Sequence, residues 1–245
     1  MKEWIYGRNP VYEVLRAARR QVLQVIIAQG VQEKGQISEI VRLANKKGIS
    51  VQQAPRKQLD KISPTNQGVA AQVGDYPYVQ LTDMFERAQS FKQPPFFLML
   101  DAVQDPQNLG TLLRTAEVVG VHGVLLPLRQ TATVTASVVA ASSGASEHLL
   151  IGQANLAQAI ESLKQENVWV VGLHGGEQAQ TPDKINLKGA LALVVGNEGQ
   201  GMRQLVRKSC DLLLRLPMRG KIESLNAAAA GSVALYLAWQ ARGYQ

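Results

Sequence analysis

Three short segments hold the side chains best suited to chemistry. The first is Asp105-Pro106-Gln107-Asn108-Leu109-Gly110, running on to Arg114-Thr115-Ala116. A carboxamide at Asn108 and a guanidinium at Arg114 suit an anion, because the arginine fork matches a phosphate or an ester oxygen. If a helix starts near Leu109, Arg114 lies between its first two turns and can lean back toward the loop. The same residues also read as a helix capped by Asp105 or Asn108 and carrying a solvated arginine. The second segment is Gly196-Asn197-Glu198-Gly199-Gln200-Gly201. Three glycines demand a tight backbone path. No Gly-Lys-Ser/Thr follows, and the glycine order is not G-x-G-x-x-G, so neither standard phosphate loop is present. A glycine loop with a carboxylate suits a nucleoside without a pyrophosphate, and it is equally an ordinary strand-to-helix turn. The third segment runs from Leu216-Pro217-Met218 through Gly220 to Ser224-Leu225-Asn226. Ser224 or Asn226 is a natural N-cap, and exposed amides at a helix start also bind ligands. Here too a capped core helix explains the residues as well as a binding platform does.

These segments need elements to position them. Apolar runs at Phe96–Leu100, Gly123–Leu126, Leu149–Ile151, Val168–Leu173, Ala190–Val195 and Leu212–Leu216 read as strands. Helical spacing falls between them, at Leu109–Val119, Val134–Ala141, Leu156–Gln165, Met202–Lys208 and Leu225–Ala241. Such alternation predicts an α/β fold with a mostly parallel sheet covered on both faces. Ligands of open parallel sheets bind beyond the strands' carboxyl ends. The three segments follow the strands ending at Leu100, Val195 and Leu216, where such a site is expected.

Residues 1–75 read as a separate small α/β domain. Helices are expected at Val11–Ala18 and Ile37–Lys47, strands at Val22–Ala28 and Val69–Val73, and Ile49–Gln53 alternates as a strand does. Tyr76-Pro77-Tyr78 and Gln93-Pro94-Pro95 bracket a linker over 76–94, with a short helical stretch at Asp83–Ala88. The chemical domain then covers 95–245. Of the chain's net charge of +7, the first 75 residues hold 12 Lys/Arg against 6 Asp/Glu. A basic module beside a near-neutral one suits a polyanion-binding arm, although a merely soluble basic surface has the same charge.

In this order and spacing, the three segments resemble the motifs of the SpoU–TrmH family of RNA ribose methyltransferases. The matching residues are Asp105-Pro106-x-Asn108-x-Gly110-x-x-x-Arg114-Thr115-Ala116, Gly196-Asn197-Glu198-Gly199-x-Gly201, and Leu216-Pro217-Met218-x-Gly220-x-x-x-Ser224-Leu225-Asn226. Ile5-Tyr6-Gly7 and Asn66-Gln67-Gly68-Val69-Ala70-Ala71 are similar to the RNA-binding domain of members that methylate a guanosine in 23S rRNA. That domain is similar to a small ribosomal protein. The resemblance implies a trefoil knot at the C-terminal part of the sheet, a homodimer, and S-adenosylmethionine (AdoMet) as methyl donor. It implies AdoMet contacts at Gly196, Leu216 and Leu225, with Met218 nearby and Leu173 joining them. It implies working roles for Asn108, Arg114, Glu198, Ser224 and Asn226 on structured RNA, in 23S rRNA or a pre-ribosomal particle. Family proposals make Arg114 the base. A guanidinium stays protonated, so Arg114 is better read as a phosphate-anchored partner of the ribose oxygen.

The rest of the sequence narrows the class. His122, His148 and His174 lack metal-ligand spacing, so no metal is expected. Of the three, only His174, beside Leu173 at a strand end, suggests a site. Cys210 is the sole cysteine, which excludes an intrachain disulfide and fits a reducing cytoplasm. It reads as a small core residue. No apolar run approaches the ~18 residues that span a bilayer, and Met1–Pro10 carries no signal-like apolar stretch. Three other readings stay open: a tRNA guanosine 2′-O-methyltransferase, a non-catalytic RNA-binding relative, and a nucleotide-dependent oxidoreductase, which the missing dinucleotide fingerprint disfavours.

Overall fold

The computed structural model describes residues 2–222 and 224–244, so Glu223 of the third segment lies outside the described residues. The chain divides into two compact units, Met1–Pro77 with Thr133–His148, and Tyr78–Ala132 with Leu149–Gln245.

The first unit is built on a four-stranded sheet of β1 (Glu3–Tyr6), β2 (Val22–Ala28), β3 (Ser50–Ala54) and β4 (Val69–Val73), in the order β1-β4-β2-β3. β4 is antiparallel to both of its neighbours, while β2 and β3 are parallel. Helices α1 (Arg8–Ala17) and α2 (Gln36–Lys46) bury Val11, Val14, Leu15, Ile37, Ile40 and Ala44 at helical spacing. Helix α3 (Arg56–Ile62) was not expected. It buries Leu59 alone, so it carries no apolar periodicity to read. The Asn66-Gln67-Gly68 stretch has a structural explanation. Buried Asn66 donates to the Ser63 carbonyl at 2.7 Å and accepts from the Gly68 amide at 2.8 Å, which shapes the turn into β4. Gly68 has φ +81, and a Cβ there would lie 2.7 Å from Val31 Cγ2.

Residues 133–148 belong to this unit, whereas the sequence assigned them to the chemical domain. Helix α6 (Ala136–Ala141) caps on Glu3, whose carboxylate accepts from the Ala136 amide at 2.7 Å. Tyr76 donates its hydroxyl proton to the Ser146 carbonyl at 2.7 Å. Arg20 grips Glu147 with two bonds, Nε to Oε2 at 3.0 Å and Nη2 to Oε1 at 2.7 Å. Both side chains are 1% exposed, so each charge depends on the other for its solvation.

The second unit holds a six-stranded, wholly parallel sheet. Its strands are β5 (Phe96–Leu100), β6 (Gly123–Pro127), β7 (Ile151–Ala154), β8 (Trp169–Leu173), β9 (Leu191–Val195) and β10 (Leu212–Leu214). The order is β10-β8-β9-β5-β6-β7. The central pair β5 and β9 runs in register from Phe96–Leu191 to Leu100–Val195, and both strands are buried throughout. Phe97, Met99, Ala192 and Val194 share one core with side chains of α4 (Leu81–Ser90), α7 (Leu156–Gln165) and α8 (Gln204–Ser209). Helix α4 covers most of the expected linker. Its Met84 is fully buried, and a Cβ on Gly123 would lie 2.3 Å from the Met84 sulfur. Thus 81–90 is a core helix rather than a linker.

Helices α5 (Pro106–Val118) and α9 (Ala227–Ala241) pack together. Gly231 makes this close approach possible, since a Cβ there would sit 2.5 Å from Leu112 and 3.1 Å from Val195 of β9. Thr115 and Ser232 hydroxyls meet at 2.9 Å across the two helices. Because every strand is parallel, the loops after β5, β6, β8, β9 and β10 all leave one edge of the sheet. Among the described residues, no helix is long and apolar enough to cross a membrane.

Candidate active site

The loop after β9 is shaped by its own backbone. Asn197 and Gly201 exchange backbone hydrogen bonds at 3.0 and 2.9 Å, closing a tight loop. Asn197 Oδ1 accepts from the Gly199 amide at 2.8 Å, and its Nδ2 donates to the Ala102 carbonyl at 2.9 Å. Gly196 is obligatory here, because a Cβ would lie 2.3 Å from the Gly201 carbonyl carbon and the Met202 nitrogen. Beneath the loop, Asp101 is fully buried at the end of β5. It accepts from the Arg203 amide at 2.7 Å, from Arg203 Nε at 2.7 Å and from Arg203 Nη2 at 2.6 Å. Neither Asn197 nor Asp101 stood out in the sequence as a loop staple. The only available signal was a polar residue within two positions of the end of an apolar strand.

Three of the five expected working residues come together. Asn108 Nδ2 donates to Glu198 Oε1 at 2.5 Å, and Asn226 Nδ2 donates to Asn108 Oδ1 at 3.1 Å. Asn226 Nδ2 also donates to the same Glu198 oxygen. Asn226 is the N-cap of α9, its Oδ1 accepting from the amides of Ala228 at 2.9 Å and Ala229 at 3.1 Å. The cap and the contact with Glu198 therefore use opposite ends of one carboxamide. This resolves the choice between Ser224 and Asn226 as cap. It also makes the third segment's cap and its binding role compatible.

The start of α5 differs from expectation. Asp105 is the cap, accepting from the Gln107 amide at 3.1 Å, and Pro106 occupies the first turn. The helix thus begins three residues before Leu109. Arg114 lies six residues beyond Asn108, roughly 9 Å along the axis, and it is exposed. It is therefore in the third turn, not between the first and second.

A cavity of about 610 Å³ opens at the carboxyl ends of β8, β9 and β10. All five expected cofactor residues, Leu173, Gly196, Leu216, Met218 and Leu225, line it. Glu198 and Ser224 line it as well, while Asn108, Arg114 and Asn226 stand outside the lining. From the loop after β8, His174, the one histidine its strand-end position singled out, and Thr181, which nothing in the sequence singled out, also line it. The volume is that of a small-molecule site. Its walls combine leucine side chains and tight backbone with the polar groups of His174, Glu198 and Arg215, a surface suited to a nucleoside with apolar faces and polar edges. Among the described residues, no group of three or more His, Cys, Asp or Glu is placed to hold a metal ion. His122 is buried, and its Nδ1 accepts from the Phe96 amide at 3.0 Å. Burial, with the charges of Arg242 and Arg87, pushes this imidazole down to about 4. Burial also pushes the Cys210 thiol up to about 12, so it is no nucleophile at neutral pH.

A parallel sheet with a glycine-loop cavity at its carboxyl edge defines an α/β enzyme with a nucleoside-sized site. Comparison with known proteins makes that class specific. Residues 95–236 match the SpoU rRNA Methylase family, and residues 4–79 match the RNA 2′-O ribose methyltransferase substrate-binding domain. YacO of Bacillus subtilis, named as a TrmH family tRNA/rRNA methyltransferase, is 40% identical over 98% of this chain and 96% of its own. A Staphylococcus saprophyticus protein named for the same family is 37% identical over 98% of this chain and 96% of its own. An AdoMet-bound rRNA methyltransferase from Sinorhizobium meliloti has the same fold, with a TM-score of 0.79 over 98% of this chain and 87% of that one, at 23% identity. The SpoU methyltransferase AviRb from Streptomyces viridochromogenes, in complex with AdoMet, superposes equally well, at 0.79 over 98% and 90% with 20% identity. The chain belongs to the SpoU rRNA methylase family: it is an RNA ribose 2′-O-methyltransferase with a small N-terminal RNA-binding module and a parallel catalytic sheet.

Proposed function

We propose that this protein methylates the ribose 2′-oxygen of a guanosine in 23S rRNA, in the cytoplasm, with AdoMet as the donor. The observation that carries the cofactor is the cavity. Gly196, where a side chain would strike backbone, and Leu173, Leu216, Met218 and Leu225 all meet there. When bound, AdoMet supplies a methyl group on a positively charged sulfur. Gly196, Leu216 and Leu225 would hold the cofactor largely through backbone groups. Two AdoMet-bound relatives share the fold, which supports this assignment. The resemblance to family members also supports a trefoil knot in the C-terminal part of the sheet and a homodimer. Exposed Val118 on α5 and Val233 and Tyr236 on α9 offer apolar surface for that pairing.

The residues divide the labour. Glu198, held by the two asparagine amides, fixes the lip of the cavity where the loop after β9 meets α5 and α9. Ser224 positions the ribose or the cofactor from the cavity wall. Arg114 would bind an RNA phosphate and stabilise the ribose oxygen as it takes the methyl group, its proton passing by way of a phosphate oxygen to water. A guanidinium remains a donor throughout, so the base is not Arg114. The basic first unit grips RNA phosphates, and affinity falls with salt.

The ordered bonding of Asn108, Glu198 and Asn226 argues against an inactive relative. Relatives named as tRNA/rRNA methyltransferases keep tRNA guanosine as the second reading. Deleting the gene and mapping lost 2′-O-methyl groups in rRNA and tRNA separates the two. Loss at one 23S rRNA guanosine is expected, and loss only in tRNA contradicts it. Arg114→Ala is expected to lose most activity, and Arg114→Lys to recover part of it, since lysine restores charge without the fork. Full activity of Arg114→Ala near neutral pH contradicts the role.

A further inference from the structure

A second cavity, of about 840 Å³, lies on the other side of the glycine loop, at the carboxyl ends of β5, β6 and β9. Asn197 and Gly201 line both cavities, so the loop is the wall between them. The chemistry of the second cavity is different. Besides Asn197, whose carboxamide is engaged by the Gly199 amide and the Ala102 carbonyl, it is lined by four carboxamides, Gln104, Gln130, Gln200 and Gln204, and two guanidiniums, Arg203 and Arg207.

Both arginines are held in place. Arg203 is clamped to fully buried Asp101 through Nε and Nη2, while 45% of its side chain remains exposed. A buried carboxylate is costly unless paired, and here the pairing fixes the orientation of a guanidinium facing the cavity. Arg207 Nη1 lies 3.4 Å from His174 Nε2. Arginine has only donors, so this imidazole nitrogen must accept. His174 lines the first cavity, and its partner Arg207 lines the second. With Nε and Nη2 spent on Asp101, Arg203 has Nη1 to offer a phosphate oxygen, and Arg207 has the donors outside its contact with His174. Carboxamides offer both a donor and an acceptor, the pairing that a nucleobase edge requires.

We infer that this second cavity binds one nucleotide of the RNA substrate adjacent to the methylated one, with its phosphate on Arg203 and Arg207 and its base edge on Gln104 and Gln130. The inference rests on the methyltransferase reading above and adds to it the site that fixes RNA register. Binding there would lay the RNA against the glycine loop, with the target ribose toward Glu198 and the first cavity. Asp101 is then a positioning residue, acting only through Arg203.

The test uses full-length protein, unmodified transcripts of 23S rRNA and tRNA, and AdoMet with a labelled methyl. The variants are Gln104→Ala/Gln130→Ala, which alters exposed side chains, and Arg207→Gln. The double variant should raise the KM for RNA about tenfold, with kcat within twofold and the Kd for AdoMet by calorimetry unchanged. Arg207→Gln should reduce the slope of log affinity against log salt by about one. Thermal midpoints matching wild type exclude a folding cause. Unchanged RNA KM and salt slope in both variants, with an active wild type, overturn the nucleotide site and leave the enzyme reading intact. An equal loss of AdoMet affinity in the double variant overturns it too, by assigning the cavity to the cofactor. A wild type that labels no RNA overturns the enzyme reading, and this inference with it.

Discussion

Glu147 and Glu198 are both carboxylates gripped by side chains distant in sequence, and they serve opposite ends. Glu147 is buried in the first unit against the guanidinium of Arg20. Burial pushes its pKa up, and the Arg20 charge and hydrogen bond oppose that shift. Glu198 is exposed at the mouth of a cavity and takes two neutral amides. The buried ion pair spends its charge on the fold, and even so leaves Arg20 Nη1 without a hydrogen bond, 3.9 Å from Glu3 Oε2. An exposed carboxylate held by amides keeps oxygen capacity and field for a ligand. Burial and partner charge, rather than residue type, separate a structural glutamate from the one we propose acts on the substrate.

The comparison can be broken at its first member. Glu147→Ala strands the Arg20 charge in the core, and about 3–5 kcal/mol of unfolding free energy should be lost. Denaturant unfolding of the full chain measures it, and a change under 1 kcal/mol would mean that Arg20 finds water instead. Replacing both partners by apolar residues should recover much of the loss.

Glu198→Ala is the counterpart. Stability should change by less than about 1 kcal/mol, and methyl transfer should fall on the order of 100-fold as the asparagines lose their common acceptor. An active but unstable variant would reverse the assignment. His122 sharpens the contrast within the second unit, as a buried titratable group with a purely structural task. Its folded pKa, about 4, lies below the ordinary 6.5. The folded state therefore binds the proton less readily than the unfolded one. Its stabilisation is present above pH 6.5 and is lost as pH falls toward 4, by roughly 3 kcal/mol. The difference between wild-type and His122→Gln stability over that range should show the slope, and a constant difference would contradict it. The smallest effect is expected for the cap. Asn226→Asp keeps the acceptor for the α9 amides, whereas Asn226→Ala should cost about 1 kcal/mol of stability. Both should impair methylation, because neither can donate to Glu198. Parallel unfolding and activity measurements separate the two functions of this one side chain.

Much of this arrangement was legible from residue order. The β5 strand at Phe96–Leu100 and the β9 strand ending at Val195 are solid apolar runs, and both stand where expected. Leu173 closes β8 and the other four cofactor candidates come after strands, so placing the strands placed them on one edge. The start of α5 was set too late because Asp105-Pro106 is itself the cap and first turn. Strand β1 is only four residues long, and α3 buries a single leucine, so neither carries a readable period. The grouping of 133–148 with the first unit was not readable at all. It depends on pairs such as Arg20–Glu147, 127 residues apart, whose partners no local pattern names. The same holds for Glu198 and Asn108, separated by 90 residues. Motif resemblance brought those two together where spacing alone did not.

Transfer of label from methyl-labelled AdoMet to unmodified 23S rRNA, followed by digestion to nucleosides, tests the central claim most directly. The label should appear in 2′-O-methylguanosine from an alkali-resistant dinucleotide at one position, and Glu198→Ala should abolish most of it. Label on a base, or none in RNA despite folded protein, would contradict the account.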